Sequence, residues 1–178
     1  MLIELKFYGR GGQGVVTAAN ILATAAYYDG LWSQAIPFFG AERRGAPVIS
    51  IVRLSDTPVR VHHIIESSDV AIVFDHRLLN RVKLNDGGVL ILNSSSDNVQ
   101  GKFDTLYVLD ATSIAIELKM ISSGMPIVNT AMLGAVAKAG FVSLRSVVRA
   151  IENYWKGGLS KLNAKAATMG YHRTHKIR

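Results

Sequence analysis

The chain has 178 residues and no cysteine, a formal net charge of +7, and 49% hydrophobic against 19% charged residues. Those proportions describe one domain with enough length to bury a core, and the lack of cysteine excludes disulfides, thiolate-bound zinc and iron–sulfur clusters of the usual Cys-ligated kind. No apolar run approaches the ~20 residues that cross a bilayer, and the N-terminus passes straight into a strand carrying Glu4 and Lys6, unlike a signal peptide, so the cytoplasm is the expected location.

In chain order, Leu2 to Phe7 alternates as a strand does, and Val15 to Tyr28 carries apolar residues at helical spacing. Between them lie Gly9, Arg10, Gly11, Gly12, Gln13 and Gly14. Gly9, Gly11 and Gly14 satisfy G-x-G-x-x-G, and a strand, glycine turn and helix together aim backbone N–H groups and a helix N-terminus at an anion. Arg10 adds a fixed positive charge to the turn. The dinucleotide fingerprint also requires an acid about 20 residues further on. Here the next apolar run, Leu31 to Phe38, is followed by no acid until Glu42, and Asp29 comes too early. No Gly-Lys-Ser/Thr follows the turn, which excludes a Walker-type loop. The segment is either a phosphate seat or a tight turn that only packs its helix on the sheet.

The stretch Pro37 to Pro47 gathers two aromatics, two arginines, two glycines and two prolines in 11 residues. Arg43 and Arg44 could clamp a phosphate or carboxylate bidentately, or pair across a subunit interface filled by Phe38 and Phe39. Aromatics with arginine favour the interface. Ala46 to Leu54 and Thr57 to His62 then read as two strands around the turn Ser55-Asp56-Thr57-Pro58, forming a local antiparallel insertion.

Asp69 to Asp75 is a short apolar run between acids, typical of a strand buried on both faces, and Gly88 to Leu92 and Thr105 to Leu109 repeat the pattern. Asp110 or Thr112 caps a predicted helix Ala111 to Ile121. Pro126 to Val128 leads through Asn129 and Thr130 into a helix from Ala131 to Gly140, and Ser143 to Trp155 forms an amphipathic helix with a Ser cap. Strands alternating with helices predict an α/β fold of three layers, a mostly parallel sheet with helices on both faces and a small antiparallel insertion.

Residues 1–155 read as that single domain and residues 156–178 as a basic tail, with six Lys or Arg and no acid from Lys156 to Arg178. Without a recognition module or a run of adjacent charges, the tail points to a protein partner rather than to nucleic acid.

The remaining titratable groups assemble no catalytic set. His62 and His63 are adjacent on a predicted strand, so their rings face opposite ways. His172 and His175 have helical spacing but no companion ligand. Asp69 and Asp75 stand roughly 20 Å apart at the two ends of one strand. No metal-ligand set and no Ser–His–acid or paired-carboxylate arrangement is visible.

Three segments taken together resemble one family: Gly9 to Ala19, the Phe-Gly-Ala-Glu-Arg-Arg-Gly-Ala-Pro loop within Pro37 to Pro47, and Asn129-Thr130-Ala131-Met132-Leu133-Gly134-Ala135. The chain is similar, nearly end to end, to the gamma subunits of pyruvate (2-oxoacid):ferredoxin oxidoreductases, the pyruvate/ketoisovalerate oxidoreductase catalytic domain family, and its loop resembles the pyruvate or branched-chain type. The resemblance implies a multi-subunit enzyme that oxidatively decarboxylates a 2-oxoacid to its acyl-CoA and reduces ferredoxin. It implies thiamine diphosphate and iron–sulfur clusters on partner subunits of alpha, beta and delta type, contact with ferredoxin through the complex, and coenzyme A as the ligand this chain helps to hold.

By the same resemblance, Gly9 to Gly14 with Arg10 would seat the CoA phosphates. Arg43, Arg44, Asn129 and Thr130 would add polar contacts or subunit docking, and no residue of this chain would be catalytic. An isolated chain is expected to be inactive, and a homodimer through surfaces meant for partners is one form open to it. The alternative is a stand-alone nucleotide-binding α/β module, against which the missing ribose acid counts.

Overall fold

A computed structural model describes residues 1–38, 45–61 and 65–178. A seven-stranded sheet is built from β1 (Leu2–Arg10), β2 (Trp32–Phe38), β3 (Pro47–Ser55), β4 (Ser68–Val73), β5 (Leu84–Asn93), β6 (Thr105–Leu109) and β9 (His175–Lys176). A two-stranded hairpin, β7 (Ile121–Ser122) with β8 (Met125–Pro126), lies outside it. The helices are α1 (Val15–Tyr28), α2 (Ala111–Glu117), α3 (Asn129–Lys138), α4 (Leu144–Tyr154) and α5 (Gly157–Arg173), with a 3₁₀ turn at His76–Arg81. No described helix is long and apolar enough to cross a membrane.

The strand order is β2-β3-β1-β4-β5-β6-β9. The centre is parallel, through β1/β4, β4/β5 and β5/β6, and the antiparallel pairs β2/β3, β3/β1 and β6/β9 lie at its margins. The mixed α/β fold with a mostly parallel sheet, expected from the alternation, is therefore present, although the five α-helices gather on one face and a 3₁₀ turn and a loop cover the other. Its antiparallel part differs from expectation: β3 pairs with β1 and β2, and Thr57 to Val61 form no strand. Buried Arg53 accounts for that segment, donating from Nη1 to Val61 O at 2.8 Å and from Nε to Glu4 at 2.8 Å, so a side chain takes the bond a ladder would have made.

Alternation along the strands divides the core in two. Leu5, Phe7, Val70, Ile72 and Ile91 face a layer containing all five α-helices. Tyr8, Ala71, Val73, Leu90, Leu92, Leu106 and Val108 face the opposite way, covered by Leu78 and Leu79 of the 3₁₀ turn and by Val99 and Phe103 of a loop. On the helical side α3 is buried all round, from Asn129 to Ala137, as a central helix must be. Asp29, at the C-terminal end of α1, accepts from Ser143 N at 2.6 Å, Ser143 Oγ at 2.7 Å and Ser146 Oγ at 2.6 Å, fastening α1 to the start of α4.

Residues 156–178 correct the expectation of a tail. Most of them form α5, which buries Ser160, Asn163, Ala166, Ala167 and Gly170, and the chain then adds β9 to the sheet edge against β6. Small residues carry this contact. A Cβ on Gly134 of α3 would strike Ala167 O, and one on Gly170 of α5 would strike Ala131 O, so the helix backbones touch. Helix α2 also ends earlier than its periodicity predicts, because Lys119 takes a left-handed φ of 55° and the chain turns into the β7–β8 hairpin.

Candidate functional site

The glycine turn closes β1 and opens α1. A Cβ on Gly9 would collide with Val15 Cγ2 and one on Gly14 with Asn129 Nδ2, while Gly12 and Gly14 hold positive φ of 95° and 78°. The turn is therefore shaped by backbone geometry and close approach. Gln13 Oε1 accepts from Arg10 N at 2.8 Å, and Gln13 N donates to Arg10 O at 3.0 Å. Gly11 N donates to Ala46 O at 2.8 Å, Gly45 N donates to Gly11 O at 3.2 Å, and Arg10 Nη1 donates to Gly45 O at 3.0 Å. The two informative sequence segments, far apart in the chain, are thus stitched together at one place.

The N–H groups of Arg10, Gly11 and Gln13 are consumed inside this structure. What stays open is the start of α1, which has no side-chain cap at Gly14 and no acid in its first turn, leaving the positive end of the helix for an anion.

Beside the turn lies a cleft of about 560 Å³ at the carboxyl ends of the four parallel strands, where open α/β sheets bind ligands. Arg10 comes from β1, Asp75 and Arg77 follow β4, Asn93 ends β5, and Asp110, Thr112 and Ser113 follow β6. Asp75, with its side chain 6% exposed, binds both arginines: Arg10 Nε at 2.6 Å, and the Arg77 fork through Nη2 at 2.7 Å and Nε at 2.9 Å. The Arg77 hydrogen bonds, opposed by burial and aided by Arg10, hold the Asp75 carboxyl far below the usual carboxylate range. Arg77 itself is 66% exposed at the mouth. Asn93 orders the floor, donating to Phe74 O at 2.9 Å and Thr112 Oγ1 at 3.0 Å and accepting from Ala111 N at 2.9 Å. Ile116, Met125, Pro126 and Val128 form an apolar wall opposite.

Of the residues singled out from the sequence, Gly9 to Gly14 and Asn129 meet at this place, with Asn129 packed on Gly14. Arg43 and Arg44 lie outside the described residues. Two expectations are corrected. Thr130 is fully buried and donates to Asn163 Oδ1 at 3.0 Å, so it braces α3 against α5 and offers no ligand contact. Arg10 is not a free arm either: its Nε is held by Asp75, which it shares with Arg77, and its Nη1 donates to Gly45 O. Sequence reasoning passed over Asp75, Arg77 and Asn93. Their common signal is a polar residue at or just past the carboxyl end of a buried parallel strand, two of them in Asp75-His76-Arg77. Among the described residues no group of three His, Cys, Asp or Glu is placed to hold a metal ion.

Over residues 4–173 the chain matches the family model described as pyruvate ferredoxin/flavodoxin oxidoreductase. It is 47% identical over 184 residues to the pyruvate/ketoisovalerate oxidoreductases common subunit gamma of Thermococcus kodakarensis, with 97% of each chain covered. It is also 47% identical over 182 residues to pyruvate synthase subunit PorC of Methanothermobacter thermautotrophicus, covering 99% of this chain and 98% of that one. Among solved structures, its fold is similar to that of pyruvate oxidoreductase subunit PORC from Thermotoga maritima, with a TM-score of 0.85 at 30% identity over 99% of both chains. A glycine turn stitched to the Gly45-Ala46 segment, on a fold shared over its full length with these proteins, leads to one assignment: the chain belongs to the pyruvate ferredoxin/flavodoxin oxidoreductase family.

Proposed function

We propose that the chain is the gamma subunit of a cytoplasmic 2-oxoacid:ferredoxin oxidoreductase, which converts pyruvate or a branched-chain 2-oxoacid to its acyl-CoA with reduction of ferredoxin. The observation that carries this reading is the full-length match to gamma subunits at 47% identity. The residues agree with a supporting subunit. With no cysteine the chain does not fit a Cys-ligated cluster, and the clusters and thiamine diphosphate, which makes an acyl-anion equivalent of the 2-oxoacid, belong in this reading to alpha, beta and delta-type partners.

Coenzyme A brings the thiol that accepts the acyl group, and the cleft suits its chemistry. The uncapped start of α1 and the part of the exposed Arg77 guanidinium not engaged by Asp75 would hold phosphate. Asp75 would fix the direction of Arg77 while tying Arg10 to Gly45. Ile116, Met125, Pro126 and Val128 would take the apolar part of the ligand. The chain's task is then to bind and orient, and a homodimer of the isolated chain would form only where partners are missing.

An anaerobic pull-down of the tagged chain from its own cytoplasm tests the proposal. Iron, thiamine diphosphate and CoA-dependent pyruvate oxidation should come down with it. A chain recovered alone that binds a dinucleotide would overturn the subunit reading in favour of a stand-alone nucleotide-binding module.

A further inference from the structure

The face of the sheet away from the α-helices holds a second cavity, of about 510 Å³, that the proposed function does not use. It opens at the end of the sheet opposite to the cleft. Glu66 and Ser67 precede β4, Lys83 precedes and Leu84 begins β5, and Gly101 to Phe103 precede β6. Its walls are Leu79, Val82, Leu84, Leu90 and Phe103, joined by Lys83, Lys102 and Glu66.

Charge and burial are unbalanced around it. Lys83 and Lys102 have no ion-pair partner among the described residues. Lys6, whose Nζ donates to Ile65 O and Glu66 O at 3.3 Å, is held below its ordinary range by burial and by Lys83, with Glu66 opposing only in part. The Arg178 guanidinium stands over the Phe103 ring, 5.7 Å from its centroid. Among the described residues, Lys83 and Lys102 line the cavity with Glu66 as its one acid, and Lys6 and Arg178 stand nearby. Beneath them Tyr8, 1% exposed and packed in the same cluster as the cavity walls, brings its hydroxyl near the Lys83 backbone without reaching a hydrogen-bond partner. An apolar cavity rimmed by Lys83 and Lys102, which have no ion-pair partner among the described residues, suits a ligand with an apolar body and a negative charge.

We propose that this cavity binds a small organic acid with an apolar body, the body seated against Leu79, Val82, Leu84 and Phe103 and the carboxylate held by Lys83 and Lys102. An aliphatic floor with a few convergent polar groups is the usual make-up of such a site, and the volume suffices for one or two rings. Lysine suits the purpose because its ammonium is a mobile point charge that adapts to a monodentate acid.

The test is photoaffinity labelling of the anaerobically purified complex with 4-benzoylbenzoate, an aryl carboxylate, followed by peptide mass spectrometry. Labelling should fall on peptides containing Leu79 to Leu84 or Phe103 and should saturate. It should be competed by excess benzoate, and fall about tenfold in the Lys83→Met/Lys102→Met double variant, the order expected for losing a charge-assisted contact. The neutral 4-benzoylbenzamide should label weakly, and CoA-dependent pyruvate oxidation should persist in the double variant. Three outcomes would overturn the proposal: equal labelling by the amide, labelling confined to the cleft around Arg77, or no labelling of the complex because a partner subunit covers this face.

Discussion

On one face of the sheet, α3 and α5 approach until a Cβ on Gly134 or Gly170 would strike the opposing backbone; on the other, Leu79 and Phe103 line an open cavity of about 510 Å³. The same strands serve both faces, since alternate residues of β1, β4, β5 and β6 point each way. What differs is the cover. Five helices with small contact residues make a close-packed layer that tolerates no added atoms, whereas a 3₁₀ turn and a loop leave volume and unpaired charge. The comparison separates where this fold keeps its stability from where it has room to bind, and substitutions on the two faces should diverge accordingly.

The largest effect is expected at Gly134→Ala or Gly170→Ala. Because the obstacle is backbone, each should cost about 3 kcal/mol, the upper part of the range for overpacking, as measured by urea denaturation of the purified chain. A loss below about 1 kcal/mol would show that the two helices can part, and the contrast between faces would fail. Truncation sharpens it further. Leu22→Ala, in the helical core, should cost about 2.5 kcal/mol, and Leu90→Ala, which already borders a cavity, about 2 kcal/mol.

At the cleft, Asp75→Asn should cost about 1–3 kcal/mol through the loss of a part-buried charged acceptor and raise the KM for coenzyme A about tenfold, with Asp75→Glu recovering part of both. The sign with pH follows from the depressed carboxyl. The folded pKa lies below the unfolded value of about 3.9, so the contribution is complete above that value and is lost as pH falls towards the folded one. The stability difference between wild type and Asp75→Asn should therefore shrink progressively as pH falls from about 4 towards about 2 and below. Convergence near neutral pH would place the effect elsewhere.

A smaller effect is expected at the sheet edge. Asp97 accepts from, and raises the pKa of, His175, so the protonated ring favours the folded state at low pH and that favour is lost as pH rises through its folded pKa. Corrected for intrinsic exchange, amide protection of His175 and Lys176 should decrease from pH 6 to pH 8, and Asp97→Asn should abolish the pH dependence. Smallest of all, Lys83→Met should leave stability within about 0.5 kcal/mol of wild type, because its charge meets no ion-pair partner among the described residues. A clear destabilisation would mean that the open face is structural too.

Much of this was legible in the residues. The bounds of α1, the Ser143 cap and the buried strands follow from periodicity and capping, which are local. The glycine turn was recognisable because its positive-φ positions and the approach of Gly9 to Val15 are local, while its contacts with Asn129 and Ala46 were not visible in the sequence. Other features were hidden for physical reasons. Residues 156–178 read as a basic tail because their exposed face is basic, while the face that packs is small, and small residues give a weak hydrophobic signal. Thr57 to Val61 looked like a strand because its composition suits one, yet a distant arginine took its backbone acceptor.

By itself the sequence determined the alternation of strands and helices, the glycine turn and, through whole-length similarity, the family. Only the tertiary structure decided which groups are engaged and which are open: Arg10 and Arg77 share Asp75, which follows a neighbouring parallel strand, Thr130 is buried against Asn163, and Lys83 has no ion-pair partner among the described residues. Local order is written in residues a few positions apart. Pairing of charges depends on which strands become neighbours, and that is settled only when the sheet closes and excludes water from its two faces.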